Sequence, residues 1–247
     1  MLKSILYTLH TLIIGLWTIL ATIVIGGSVI IYSFFSRTGN GPHLLARLWA
    51  NSILWVSRIK VTVSGSGIEK LDPGRSYIYM ANHQSNADIP VLLGRLPVQF
   101  RWLAKAELFK IPILGRAMRG VGYISIDRSN RKSAFESLTR AARTIRNGTS
   151  VMIFPEGTRS RDGNLLPFKK GGFVLSVDSG VPIVPIIIRG TRDIIPKGRL
   201  MIRPAPVTME ILDPVETADY TRKTKDALLE RIRSILIAHV EKERLES

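Results

Sequence analysis

Cysteine is absent, which excludes disulfides, thiolate metal ligands and any covalent intermediate on a thiol, while leaving the compartment open. Acid is scarce: 19 Asp and Glu stand against 35 Lys and Arg, a formal net charge of +16 over 247 residues, and no acidic residue precedes Glu69. Such an imbalance calls for a polyanionic partner: nucleic acid, an anionic membrane surface or phosphorylated small molecules. Nucleic acid is the poorest fit, because no stripe of aromatics interleaved with basic residues is found. HExxH, zinc-ligand spacing and a Walker loop are all missing, so neither a metal nor a nucleotide-hydrolysis site is expected. A G-x-S-x-G elbow is missing too, which leaves no obvious serine nucleophile. There is no internal repeat and no low-complexity linker.

One long hydrophobic run is present. Residues 4–36 carry no charged side chain, and the run is apolar on every face. A helix rises about 1.5 Å per residue and a bilayer core is about 30 Å thick, so this length exceeds a span. A cleaved signal peptide has a shorter apolar region and a small-residue cleavage site, which is not found here. The run reads as a retained anchor, with Gly26-Gly27 as a break within it. Residues 44–55 follow with an apolar surface of Leu44, Leu45, Leu48, Trp49, Ile53, Leu54 and Trp55. That surface suits either a helix at the membrane interface, tryptophans at headgroup level, or a core helix of the following domain. Residues 37–42 form a turn by composition, so the two segments make either a span or a hairpin in one leaflet. Arg37, Arg47, Arg58 and Lys60 follow the run and only Lys3 precedes it, which places the C-terminal domain on the cytoplasmic side of the cell membrane.

Beyond Lys60, short apolar runs alternate with helical stretches. Strands are expected at 61–64, 77–81, 121–126, 150–154, 183–188, 200–203 and 207–211, and helices at 89–95, 133–146, 173–179 and 223–242. The predicted class is α/β: a mixed, mostly parallel sheet covered by helices, with an N-terminal membrane-anchoring helical segment. The expected division is an anchor over 1–58 and an α/β domain over 59–247.

In open α/β folds, reactive groups gather at the C-terminal ends of strands. Three such ends carry unusual residues. Asn82-His83-Gln84-Ser85-Asn86-Ala87-Asp88 follows the strand at 77–81. His83 and Asp88 suit an imidazole–carboxylate pair; alternatively, Asp88 starts a helix and His83 is a packed loop residue. Phe154-Pro155-Glu156-Gly157-Thr158-Arg159-Ser160 follows the strand at 150–154. Its proline stops the strand, its glycine admits a close ligand, and its arginine offers a fork suited to phosphate. Glu156 either braces that arginine or meets a substrate hydroxyl, and a polar surface turn is the plainer alternative. The strand at 121–126 runs into Asp127 and Arg128.

Together these elements, in this order, resemble the glycerolipid acyltransferase family, specifically the 1-acylglycerol-3-phosphate acyltransferases. The N-H-x-x-x-x-D block matches at Asn82, His83 and Asp88; a second block matches at Lys105, Glu107, Pro112, Gly115 and residues 122–128. F-P-E-G-T-R-S is complete from Phe154 to Ser160, followed by Phe168-Lys169-Lys170-Gly171, and Val181-Pro182-Ile183-Val184-Pro185 matches the fourth. The resemblance implies acyl transfer from acyl-CoA or acyl carrier protein to the sn-2 hydroxyl of lysophosphatidic acid, giving phosphatidic acid. Glycerol 3-phosphate or another lysophospholipid is the alternative acceptor, and a non-enzymatic binder of anionic membranes the alternative class. The resemblance makes His83 the general base and Asp88 its partner. Arg159 becomes the phosphate ligand, with Lys105 and Arg128 as further candidates, and Glu156, Gly157 and Thr158 shape the pocket. The expected partners are membrane lipids and the thioester carrier. No metal or resident cofactor is implied.

Overall fold

The computed structural model describes residues 2–127 and 129–246. The chain opens with α1 (Leu2–Ser33) and α2 (Asn40–Val56), then β1 (Val61–Ser64), β2 (Ile78–Ala81), α3 (Asp88–Arg95) and β3 (Arg101–Lys105). It continues through α4 (Leu114–Val121), β4 (Ile124–Ile126), α5 (Arg131–Arg146), β5 (Val151–Ile153) and α6 (Lys170–Ser179). Then come β6 (Ile183–Arg189), a single turn α7 (Thr191–Ile194), β7 (Val207–Ile211) and α8 (Lys225–Glu246). The strands form one sheet of order β1-β7-β6-β2-β5-β3-β4, parallel throughout except for the antiparallel β6–β7 pair. The expected mixed, mostly parallel sheet under helices, with an apolar helical segment ahead of it, is what forms.

Alternation along the strands divides the core into two layers, as the strand period of two requires. Tyr77, Tyr79, Trp102, Met152, Ile186 and Met209 face α2 and α3, where Ala50, Leu54, Val91 and Leu92 cover them. Ile78, Met80, Val151, Ile153, Ile183 and Ile187 face α5, α6 and α8, where Ala141, Ile145, Phe173, Leu228 and Ile232 cover them. Strands β2 and β6 are buried on both faces, which is why they read as continuous apolar runs rather than alternating ones.

α1 and α2 form an antiparallel hairpin. His10 Nε2 lies 3.3 Å from Val56 O, Trp17 Nε1 donates to Ser52 Oγ at 3.2 Å, and Trp49 Nε1 donates to Thr22 Oγ1 at 3.0 Å. Trp49 is thus turned into the hairpin, and of the two expected interfacial tryptophans only Trp55 faces outward. α2 fulfils both readings of its sequence: Ala50 and Leu54 enter the core, while Leu44, Leu48 and Trp55 stay exposed. The hairpin lies along the α/β domain over its whole length. Near its start, Arg203 sits over the Tyr7 ring at 5.7 Å and Thr11 Oγ1 accepts from Ile202 N at 2.9 Å. Further on, a Cβ at Gly26 would lie 3.1 Å from Ile113 Cγ2. Gly26 therefore does not break α1, which is continuous; the missing side chain lets α1 approach the α4 region closely.

Apart from Val63, Leu108, Ile111, Phe135 and Leu200, every exposed large apolar side chain among the described residues belongs to residues 5–55. These residues occupy the outer side of the hairpin, and the helix Ser4–Ser33 is long and apolar enough to cross a membrane.

Three expectations change. Residues 200–203 are not a strand: Ile202 N bonds to Thr11, and Arg203 N bonds to Ile194 O. This segment has strand-like sequence but pairs with a helix side chain and a loop. A strand not expected, β3, begins with Arg101, which is only 5% exposed. Its guanidinium donates to Phe100 O, Thr38 O and Asn40 Oδ1, tying β3 to the hairpin turn. Helix α4 was also not expected, and it occupies the first residue of the strand foreseen at 121–126.

Candidate active site

β2 and β5 are neighbours in register, with Met80 opposite Ile153. Their C-terminal extensions therefore run side by side, and His83 and Glu156 leave the sheet at the same height. The sheet brings together the two motifs that the sequence separates.

His83 Nδ1 lies 2.8 Å from Asp88 Oδ2. The same oxygen accepts from the backbone N–H of Gln84 at 2.7 Å and of Ser85 at 2.9 Å. Asp88 is fully buried at the first turn of α3, where the helix N-terminus favours a carboxylate. An acceptor at Nδ1 selects the tautomer with the proton there, so Nε2 carries the lone pair. Nε2 has no hydrogen-bond partner among the described residues, and the His83 side chain is 14% exposed. The imidazole is stacked flat on Phe154, with ring centroids 3.8 Å apart and planes at 8°, and Phe154 in turn lies on Trp102 at 5.4 Å. The ring is thus fixed in plane by Asp88 and in tilt by Phe154.

Glu156 is 1% exposed. Oε1 accepts from His83 N at 2.7 Å and Oε2 from Leu166 N at 2.9 Å. The carboxylate holds the His83 loop against the 155–166 loop, and neither oxygen braces Arg159. Burial pushes its pKa up to about 7, although the two backbone N–H groups pull it down and the charge of Asp88 adds to the rise. Asn82 performs a related task on the other side, with Nδ2 donating to Ile188 O at 2.8 Å and Oδ1 accepting from Ile188 N at 2.7 Å. The loop bearing His83 is therefore pinned to β6 and to the loop after β5.

Gly157 has φ +71, a left-handed conformation that glycine adopts without strain. It turns the chain so that Ser160 N reaches His83 O at 2.8 Å. Arg159 lies beside that contact, half-buried, and its guanidinium has no partner among the described residues. Thr158 is exposed, and its hydroxyl accepts from Lys197 Nζ at 3.3 Å. Lys105 is exposed at the end of β3, on the far side of β5 from β2. Arg128 lies outside the described residues.

The structure adds three residues that the motifs did not single out for a role. Phe154 stacks on the imidazole, Asn82 pins its loop, and Lys197 lies against Thr158 and Arg159. Phe154 and Asn82 stand within the quoted blocks, and that membership was the available signal. Lys197 stands in none of them.

The arrangement supplies an oriented base with a lone pair free among the described residues, on a loop bonded to the one that bears Arg159, at one end of a sheet whose helical hairpin exposes an apolar side.

The Acyltransferase family model matches residues 60–189. A 1-acyl-sn-glycerol-3-phosphate acyltransferase of Limnanthes douglasii is 36% identical over 205 residues, covering 83% of this chain and 70% of that one. The human 1-acyl-sn-glycerol-3-phosphate acyltransferase alpha is 32% identical over 194 residues, covering 78% and 68%. The crystal structure of the 1-acyl-sn-glycerophosphate (LPA) acyltransferase PlsC from Thermotoga maritima superposes with a TM-score of 0.81 at 30% identity, covering 97% of this chain and 98% of that one.

Proposed function

The chain belongs to the Acyltransferase family, and it is an O-acyltransferase of the 1-acyl-sn-glycerol-3-phosphate type; from that premise we propose that it transfers a fatty acyl group from acyl-CoA or acyl-ACP to the sn-2 hydroxyl of lysophosphatidic acid, forming phosphatidic acid. The observation that carries this reading is the His83–Asp88 pair at 2.8 Å, with Nε2 free of hydrogen-bond partners among the described residues and the loop that bears Arg159 bonded to His83 O through Ser160 N.

In the reaction His83 Nε2 takes the proton of the acceptor hydroxyl as its oxygen attacks the thioester carbonyl. Asp88 stabilises the imidazolium that forms. When the tetrahedral intermediate collapses, the C–S bond breaks and the imidazolium returns its proton to the leaving thiolate. Products are the ester and the free thiol, and no covalent enzyme intermediate is needed. General base catalysis of this kind contributes about 10²–10⁴-fold. Arg159 holds the acceptor phosphate through its fork. Glu156 acts by positioning His83 through the backbone rather than by touching substrate, and Gly157 and Thr158 shape the turn that presents Arg159.

The hairpin lies in one leaflet on the cytoplasmic side. What supports this placement is the contact of α1 with the domain at Tyr7, Thr11 and Gly26, which lays the helix along the protein rather than across a bilayer. Arg37, Arg47, Arg58 and Lys60 would meet anionic headgroups there. An acceptor with its acyl chain in lipid then reaches the site laterally, without exposing a tail that costs about 0.8 kcal/mol per CH₂ in water.

The test is to incubate purified protein with lysophosphatidic acid, glycerol 3-phosphate and other lysophospholipids, each with either thioester. Equimolar phosphatidic acid and thiol are expected, and His83→Ala should cut both by about 10²–10⁴-fold while the protein stays folded. Near-normal turnover by folded His83→Ala would overturn the mechanism, and preference for another acceptor would overturn the substrate.

A further inference from the structure

Between α7 and β7 the chain makes a strap, residues 195–206, without regular structure. It touches three places that matter. Ile195 O accepts from Ser85 Oγ at 2.8 Å, inside the loop that carries His83 and Asp88. Ile202 N and Arg203 reach Thr11 and Tyr7 of α1. Between these, Lys197 Nζ donates to Arg159 O at 2.7 Å and to Thr158 Oγ1 at 3.3 Å.

Both partners of Lys197 are neutral oxygens. Among the described residues no carboxylate forms an ion pair with it, and the Arg159 guanidinium likewise has none. An ammonium has three hydrogens to donate, and the protein uses two. Among the described residues, two cations without a carboxylate partner, one on the strap and one on the loop after β5, therefore belong to segments joined to each other and to the His83 loop. We propose that Lys197 is the second cation of the acceptor's phosphate site, its remaining N–H completing with the Arg159 fork a set of donors for a dianionic phosphomonoester. This inference rests on the reading of lysophosphatidic acid as acceptor and assigns a residue that no motif marks.

The chemistry fits the ligand. A terminal phosphomonoester carries three acceptor oxygens and about −1.5 to −2 charges at pH 7, with a second pKa near 6. Arg159 takes two oxygens as a planar fork, and Lys197 takes the third as a point charge. Lys105 departs from the opposite side of β5, whereas Lys197 is hydrogen-bonded to the Arg159 loop itself. The other end of the strap is fastened to α1, and its tip, Leu200, is 89% exposed.

A residue that merely propped the loop would be needed for any acceptor and for the donor alike, so the test varies acceptor charge. Full-length protein, Lys197→Gln and Lys197→Arg are compared on lysophosphatidic acid and on its phosphate methyl ester, which cannot become a dianion. Acceptor and donor KM and kcat are measured from pH 5 to 8. In the parent, acceptor KM should rise as pH falls through about 6, where the phosphate loses its second charge. Lys197→Gln should raise KM for lysophosphatidic acid on the order of tenfold to a hundredfold, flatten that pH dependence and leave the methyl ester and donor KM nearly unchanged. Lys197→Arg should restore most of the preference for the dianion. An acceptor KM within twofold of the parent, or equal losses on both acceptors and the donor, overturns the proposal. Failure of the parent itself to acylate lysophosphatidic acid, while acylating another acceptor, overturns the substrate reading and this inference with it.

Discussion

On one side of the sheet, α5 and α8 bury Ala141, Ile145, Leu228 and Ile232 and turn Glu136, Arg140, Arg143, Glu230 and Arg231 outward. On the other, α2 buries Ala50 and Leu54 but turns Leu44, Leu48 and Trp55 outward, and α1 beyond it exposes Leu9, Leu12, Leu16 and Ile23. Both coverings pack inward in the same way. Their outer surfaces are made for different solvents, water in the first case and hydrocarbon in the second, and the two strand-end loops that carry His83 and Arg159 lie at the rim between them. Burial inward thus says little about which helix belongs to the membrane; what points outward decides.

The comparison holds only if chemistry belongs to the rim and not to either covering. His83→Ala should cut turnover by about 10²–10⁴-fold while leaving the thermal midpoint in detergent within a few degrees, since the ring is a surface of the site rather than of either core layer. A large fall in the midpoint would instead make His83 part of the core. Arg159→Lys keeps the charge and loses the fork, so acceptor KM should rise far more than donor KM.

The water-facing covering is tested by Ile232→Ala. Ile232 is fully buried, and the cavity should cost about 2–5 kcal/mol in a denaturant titration. A cost below about 1 kcal/mol would mean that α8 is loosely docked.

Glu156 sharpens the picture at the rim. Its folded pKa of about 7 lies above the usual 4.5, so the protonated form favours folding. Its contribution is complete below pH 4.5 and is lost as pH rises through about 7, on the order of 3 kcal/mol in total. Glu156→Gln should remove that slope from stability measured between pH 5 and 8. An unchanged slope would assign it to other groups.

The smallest effect on stability belongs to the lipid-facing covering. Leu16 is 69% exposed, and Leu16→Asn should change unfolding in detergent by no more than about 0.5 kcal/mol. The same change should weaken binding to anionic vesicles by about tenfold or more, because a whole leucine side chain leaves hydrocarbon. Unchanged vesicle binding would place that side of α1 outside the membrane.

Much of this was legible in the sequence, and for physical reasons. The long apolar helix shows because no charge interrupts residues 4–36, and β2 and β6 show because burial on both faces leaves them apolar without interruption. His83 and Asp88 stand where a strand end meets a helix start, a weak pattern by itself, and it was the resemblance of all four blocks that marked them as a pair. β3 was hidden because its first residue, Arg101, is a buried arginine whose guanidinium donates to the Thr38 carbonyl and the Asn40 amide oxygen at the hairpin turn, contacts with no local signal. α4 was hidden by its eight-residue length and by Gly115, Arg116 and Arg119. Residues 200–203 misled because Thr11 supplies the partner that a neighbouring strand would have given. Lys197 was invisible for the same reason: its partners, Thr158 and the Arg159 carbonyl, lie 39 and 38 positions away.

The bond between Ile202 and Thr11 joins positions 191 apart. Closing so large a loop carries an entropic cost and slows the step that makes it. α1 and α2, by contrast, are neighbours in sequence and pair as soon as both have left the ribosome. The hairpin can therefore pair early in synthesis, and the strap bearing Lys197 can be fastened to it only after residue 202 has left the ribosome. Pairing comes first and closure later, so a chain interrupted before residue 202 would keep the α1–α2 hairpin but lack the tie between Ile202 and Thr11.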